Sequence, residues 1–106
     1  MLFRSYPEAI ERFSAAVRDD PGYVEARLQL AELLQRTGRP DASLPHYAQV
    51  IAIDPRSVSA RFGHAMALVR LKRYAEARER LSEGQTLYPD RPEFAQALER
   101  LKGATN

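Results

Sequence analysis

Two histidines, His46 and His64, and several carboxylates placed near arginines are the residues of this chain equipped for metal or acid–base chemistry. A helical metal site needs a second donor three or four residues from the first. His46 is followed at those steps by Gln49 and Val50, and His64 by Ala67 and Leu68, so neither histidine has one. Glu8, Glu32 and Glu76 each precede an arginine by four residues, at Arg12, Arg36 and Arg80. That order suits surface ion pairs worth roughly 0.2–0.5 kcal/mol each on a helix. There is no cysteine, hence no thiolate ligand, thiol nucleophile or disulfide. No glycine-rich phosphate loop or nucleophile elbow occurs. These residues therefore predict no catalytic centre, no metal site and no cofactor.

Basic residues form the other chemical pattern. Arg36 and Arg39, then Arg70, Lys72 and Arg73, with Arg4 and Lys102 flanking them, fall at equivalent turns and would stack into a positive edge. Such an edge could meet an acidic protein, RNA or a membrane surface. Three features favour a simpler role. Cations at helix C-termini complement the helix dipole. The opposite edge carries Asp19, Asp20, Asp54 and Asp90, and no aromatic residues interleave with the arginines as single-strand binding requires. The formal charge of +2 is far below the density of a nucleic-acid-binding domain. No apolar run approaches a membrane span, so neither nucleic acid nor membrane is an expected partner. Met1-Leu2-Phe3-Arg4-Ser5 lacks the apolar region of a signal peptide, which makes a cytoplasmic location the default.

The elements that would position these residues repeat. Pro21, Pro55 and Pro89 recur every 34 residues, and Val24/Val58, Ala26/Ala60, Arg27/Arg61, Ala31/Ala65, Leu34/Leu68, Arg36/Arg70 and Arg39/Arg73 are identical at that spacing. Tyr6/Tyr74, Glu8/Glu76, Ala9/Ala77 and Phe13/Tyr47/Leu81 bring the start of the chain into the same register. A period of a few tens of residues marks a solenoid, in which each unit buries its apolar face against its neighbours. With 44% hydrophobic and 28% charged residues, the 106-residue chain is able to bury such a core.

Within each period the pattern is helix, turn, helix. Ser5-Tyr6-Pro7-Glu8 reads as a capping box opening a first helix that ends near Asp20. A second helix runs from Val24 to Arg36. Its two apolar stripes, Ala26, Leu30, Leu33 and Leu34 beside Val24, Leu28 and Ala31, imply two neighbours. Gly38 and Pro40 punctuate the start of a third helix reaching about Ile53, with Pro45 expected to kink it or weaken its first turn. The fourth helix spans Val58 to Leu71, the fifth Arg73 to about Leu87, and Gly84 implies a close helix–helix approach. Phe94, Leu98 and Leu101 face inward from a final helix whose polar outer face caps the stack. The division is residues 5–22 as the second helix of a truncated repeat, 24–55 and 58–89 as full repeats, and 92–102 as the terminal helix. A chain starting in mid-repeat reads as a piece of a longer protein.

Leu30, Ala31, Leu34, Ser43, Tyr47, Val50 and Pro55, then His64, Ala65, Leu68, Ala77, Leu81, Gly84 and Pro89, resemble the tetratricopeptide repeat, with Ala9, Phe13, Ala16 and Pro21 as a leading half-copy. Departures are Arg27 and Arg61 where the family has tryptophan, Lys72 where it has glycine, and Ser43 where it has alanine. The resemblance implies an all-α, right-handed α-solenoid of about six helices in antiparallel pairs. It also implies a protein-interaction module with a concave groove for a partner peptide or helix. That groove would be lined by Glu25, Leu28, Glu32 and Gln35, then Ser59, Phe62, Met66 and Val69, with Gln96 and Arg100 at the far end. The places where some family members grip a C-terminal carboxylate hold Leu28, Gln29, Glu32, Glu93 and Ala97, so that clamp is absent. The strip Leu28, Phe62, Met66 and Val69 beside two carboxylates suits a protein or peptide with an apolar anchor. Phe62 and Leu28 either face the groove or pack on a neighbouring helix. If Phe62 faces it, Phe62→Glu removes binding and leaves helicity unchanged. Self-association into a homo-oligomer through an uncovered terminal helix, or a spacer role, are the alternatives.

Overall fold

The computed structural model describes residues 5–104. Within them lie six α-helices and no strand: α1 (Tyr6–Asp19), α2 (Val24–Arg36), α3 (Pro40–Ile53), α4 (Val58–Arg70), α5 (Tyr74–Leu87) and α6 (Pro92–Arg100). Each helix packs on the next in sequence, and α2 also touches α4. Neighbour-only packing gives an elongated body, 40 × 25 × 22 Å, as a solenoid requires. Helix ends fall within three residues of the sequence reading. The final helix stops at Arg100, so Lys102 lies in the following turn; Arg4 lies outside the described residues, as do Thr105 and Asn106.

Local chemistry accounts for these boundaries. Ser5 Oγ accepts from the Glu8 N–H at 3.3 Å and caps α1; Ser57 does the same for α4 through Ala60 at 3.1 Å. Asp20 and Asp54 fold the loops before α2 and α4, each carboxylate accepting the N–H two residues on, from Gly22 and Arg56. α3 runs unbroken through Pro45. The proline ring is exposed and stands early in the helix, where the backbone bond it forgoes lies at the solvent side of the first turn.

The paired helices are joined by tight turns closed by Arg39 N–H to Leu34 C=O and Arg73 N–H to Leu68 C=O, both 2.9 Å or shorter. This six-to-one closure needs a left-handed residue just before the closing donor. Gly38 supplies it at φ 86°, and Lys72 adopts it at φ 61°. A lysine there bears a steric cost that glycine avoids. Lys72→Gly is therefore expected to raise the unfolding free energy by about 1 kcal/mol, read as a higher urea midpoint at unchanged slope.

The core forms three clusters along the stack. Val17, Ala26, Leu30 and Leu34 join α1 to α2; Ala31, Tyr47, Val50, Ala60 and Ala67 join α2, α3 and α4; Ala65, Leu68, Ala77, Leu81, Phe94, Ala97 and Leu101 join α4, α5 and α6. Large residues meet glycines at the tightest places. A Cβ on Gly84 would stand 2.3 Å from Phe94 Cε1, and one on Gly63 would stand 2.6 Å from Tyr47 Cε1. Ser43, fully buried where the repeat usually has alanine, donates its hydroxyl to the Pro40 carbonyl at 2.6 Å, so it brings no unmet polar group into the core.

None of the i,i+4 ion pairs read from the sequence forms among the described residues, and Glu76 and Arg80 take other partners. Arg73 takes Glu76 in a two-pronged contact at 2.8 and 2.9 Å, and Arg80 takes Glu83 at 2.9 Å with Glu79 at 3.4 Å. Arg73 sits just before α5, where a first-turn glutamate meets it sooner than Arg80 can. Glu8 with Arg12, and Glu32 with Arg36, form no ion pair among the described residues.

Candidate functional site

The first helix of each pair is aimed by an arginine. Arg27 Nη2 donates to the Pro21 carbonyl at 3.1 Å, and Arg61 Nε donates to the Pro55 carbonyl at 2.9 Å. Each fastens its helix to the preceding turn at the place where the family carries tryptophan. Arg27 also donates from Nη1 to His46 Nδ1 at 3.2 Å, tying α2 to α3. A donor on Nδ1 requires the neutral imidazole there.

Of the sequence-predicted groove residues, Glu32, Gln35 and Met66 come together. They line a cleft of about 250 Å³ between α2 and α4, along with Arg36, Tyr47, Gly63 and Arg70. Gln35 Nε2 donates to the Tyr47 hydroxyl oxygen at 2.9 Å and to the Gly63 carbonyl at 3.0 Å, and Arg70 Nη1 donates to the Gln35 carbonyl at 2.9 Å. The cleft floor is thus braced across three helices. Burial pushes the Tyr47 phenol up to about 12, aided by the Glu32 carboxylate and opposed by the Gln35 hydrogen bond and the Arg70 and Arg36 cations.

Glu25 and Leu28 line a different cleft, about 670 Å³, between α1 and α2. Val69 is half-buried in the α4–α6 core cluster, while Ser59, Gln96 and Arg100 are exposed and line neither cleft. Phe62 is shared between core and surface: it is half-buried, its ring edge-on to buried Phe94 with centroids 5.9 Å apart. Phe62→Glu would therefore break packing as well as any groove contact, which corrects its expected neutrality toward helicity. Sequence reading missed Arg36, Arg70, Tyr47 and Gly63 as cleft residues. Gly63 was the available signal, a glycine inside α4 that only close approach of a large neighbour explains.

Both histidines are held toward the neutral form. His46 lies below its ordinary 6.5 through burial and then the Arg27 cation. His64 lies below it through burial, then Arg80, with Glu76 opposing. The unfolded chain takes up these protons at about pH 6.5, before the folded chain does. Their contribution to stability is therefore full above pH 6.5 and is lost as pH falls through the lowered folded values. The urea midpoint is expected to drop from pH 7 to pH 5, and to drop less in His46→Gln/His64→Gln.

Among the described residues, no group of three or more His, Asp or Glu is placed to hold a metal ion, and no helix is long and apolar enough to cross a membrane. A stack of helix pairs at a 34-residue period defines a helical-repeat protein. The tetratricopeptide repeat family profile matches residues 3–44 and 35–101, and the chain belongs to that family. It is also similar to cellulose synthase 1 operon protein C of Komagataeibacter xylinus, 38% identical over 77 residues, 73% of this chain and 6% of that protein. The chain thus spans a small fraction of that relative's length. Repeats of this family are a non-catalytic type that generally serves protein–protein contact.

Proposed function

We propose that the chain binds a segment of a protein partner across the faces of α2, α4 and α6, seated at the cleft between α2 and α4. One observation carries this reading: the braced cleft groups an apolar side chain, Met66, with a carboxylate, Glu32, that forms no ion pair among the described residues, and with two cations, Arg36 and Arg70. Such a mixture fits an apolar anchor flanked by a basic group for Glu32 and an acidic group or backbone carbonyls for the arginines. The wider surface takes in Glu25, Leu28, Gln35, Ser59, Phe62, Val69, Gln96 and Arg100. The working unit comprises the half-repeat 5–22, the repeats 24–55 and 58–89, and the terminal helix. It acts as a cytoplasmic module without enzyme activity, nucleic acid or membrane.

Affinity capture from a lysate of the source organism tests this with three tagged chains: wild type, Glu32→Lys in the cleft and Gln85→Lys on exposed α5. A partner retained by wild type and Gln85→Lys and lost by Glu32→Lys supports the cleft. Equal recovery by all three overturns it.

A further inference from the structure

The 34-residue period sets out the charges of the α2/α4 cleft in two layers. Arg36 and Arg70 end α2 and α4 at equivalent places, and four residues before them Glu32 and Met66 are equivalent in turn. Four helical residues rise about 6 Å, so a carboxylate and a thioether lie one turn below two guanidiniums. Arg70 donates to the Gln35 carbonyl at 2.9 Å, which brings its guanidinium to the end of α2, beside Arg36. Both cations and the Glu32 carboxylate act on the Tyr47 phenol at the cleft floor, in opposite senses.

None of the three charges has an ion-pair partner among the described residues, although Glu32 precedes Arg36 in the order that suits a helical pair. A partner that covers the cleft takes water away from them, and a charge then needs a counter-charge. Main-chain carbonyls can hydrogen-bond to the arginines but leave two like charges side by side. A carboxylate supplies both the charge and a pair of acceptors matching the guanidinium fork. In the lower layer Met66 and Glu32 are both half-buried. One kind of side chain serves both, because the methylene stem of a lysine or arginine packs on apolar surface while its head stays polar.

Given that this cleft is the partner's seat, as proposed above, we infer that the partner segment carries an acidic residue for Arg36 and Arg70 and, on its same side, a lysine or arginine for Met66 and Glu32. The cleft holds about 250 Å³, room for side chains and not for a helix about 10–12 Å across, so the partner's main chain crosses over it. In an extended chain, residues two apart share a side and stand about 6.6 Å apart, close to the spacing of the layers. The order of charges also fixes the direction of the segment, with the acidic residue toward the C-terminal ends of α2 and α4.

Selection of a phage-displayed library of random peptides, too short to hold a helix in water, on the full 106-residue chain tests this. Enriched peptides are then synthesised and their Kd measured by fluorescence anisotropy. The expected peptides carry an acidic residue two positions from a lysine or arginine. Their Kd rises about tenfold or more in Arg36→Glu and in Glu32→Lys, and is unchanged in Gln85→Lys, with circular dichroism showing each variant folded. Changes in the peptide leave the protein untouched: replacing its acidic residue with alanine weakens binding to wild type and removes the effect of Arg36→Glu, and replacing its basic residue with glutamate restores binding to Glu32→Lys. Peptides that depend on Glu32 and Arg36 but have no acidic residue, or lose nothing when it becomes alanine, overturn the inference and leave the cleft as the seat. A selection that yields no peptide dependent on either residue overturns both.

Discussion

Replacing Phe94 with alanine is expected to lower the unfolding free energy by about 3–5 kcal/mol, the range for loss of a buried ring. Domains of this kind have only about 5–15 kcal/mol in total, so the variant approaches the limit of folding. The ring is fully buried, edge-on to Phe62 and stacked on Tyr88 with centroids 6.4 Å apart. Its position depends on Gly84, which allows the α5 backbone to approach it. Gly84→Ala gains about 1 kcal/mol of helix propensity. It also places a methyl 2.3 Å from Phe94 Cε1, inside van der Waals contact with a ring that has nowhere to go. Overpacking of this kind costs about 1–3 kcal/mol, so a net loss is expected in the wild-type background. Once Phe94 is alanine the overlap is gone, and Gly84→Ala should become neutral or stabilising. A double-mutant cycle by urea unfolding measures the coupling. Additive effects would mean that Gly84 is not there for Phe94.

The second large effect belongs to Tyr47, buried at the junction of α2, α3 and α4 with 1% of its surface exposed. Tyr47→Ala should cost about 3–5 kcal/mol, and Tyr47→Phe only about 1 kcal/mol, the worth of the hydroxyl that receives the Gln35 hydrogen bond. Gln35 retains the Gly63 carbonyl as an acceptor in the phenylalanine variant. Alkaline titration gives an independent readout, because this phenol is pushed up to about 12. The folded state prefers the neutral phenol. Its contribution to stability is full below pH 10, the unfolded value, and is lost as pH rises through about 12. Ultraviolet difference spectra should show a late-ionising component in wild type that is lost in Tyr47→Phe. Identical alkaline spectra above pH 11 for wild type and Tyr47→Phe would contradict the closed junction.

Helix placement was legible in the sequence because prolines, glycines and small residues recur in fixed register, and a solenoid uses only local neighbours. α2 and α3 match their sequence boundaries, and Gly84 announces the close approach that Phe94 fills. Side-chain partnerships were harder to read. Glu76 has Arg73 and Arg80 at equivalent helical distances, and only the geometry of the turn before α5 decides for Arg73. Lys72 hides a left-handed position behind a residue type that rarely takes one. Phe62 and Leu28 show a similar limit: periodicity places them on a helix face, but how far the next helix covers that face depends on the packing angle. The cleft could be anticipated from Glu32, Gln35 and Met66, while the bridge from Gln35 to Tyr47 and Gly63 joins residues as many as 28 positions apart and leaves no mark in the local pattern.

The most direct test of partner binding on the α2/α4 side is site-specific photocrosslinking in a lysate of the source organism, with the crosslinking residue placed at Glu32 in one chain and at Gln85 in another. A partner protein joined through position 32 and not through position 85 is the predicted result. Crosslinks formed through position 85 alone would place the working surface on the opposite helices and contradict it.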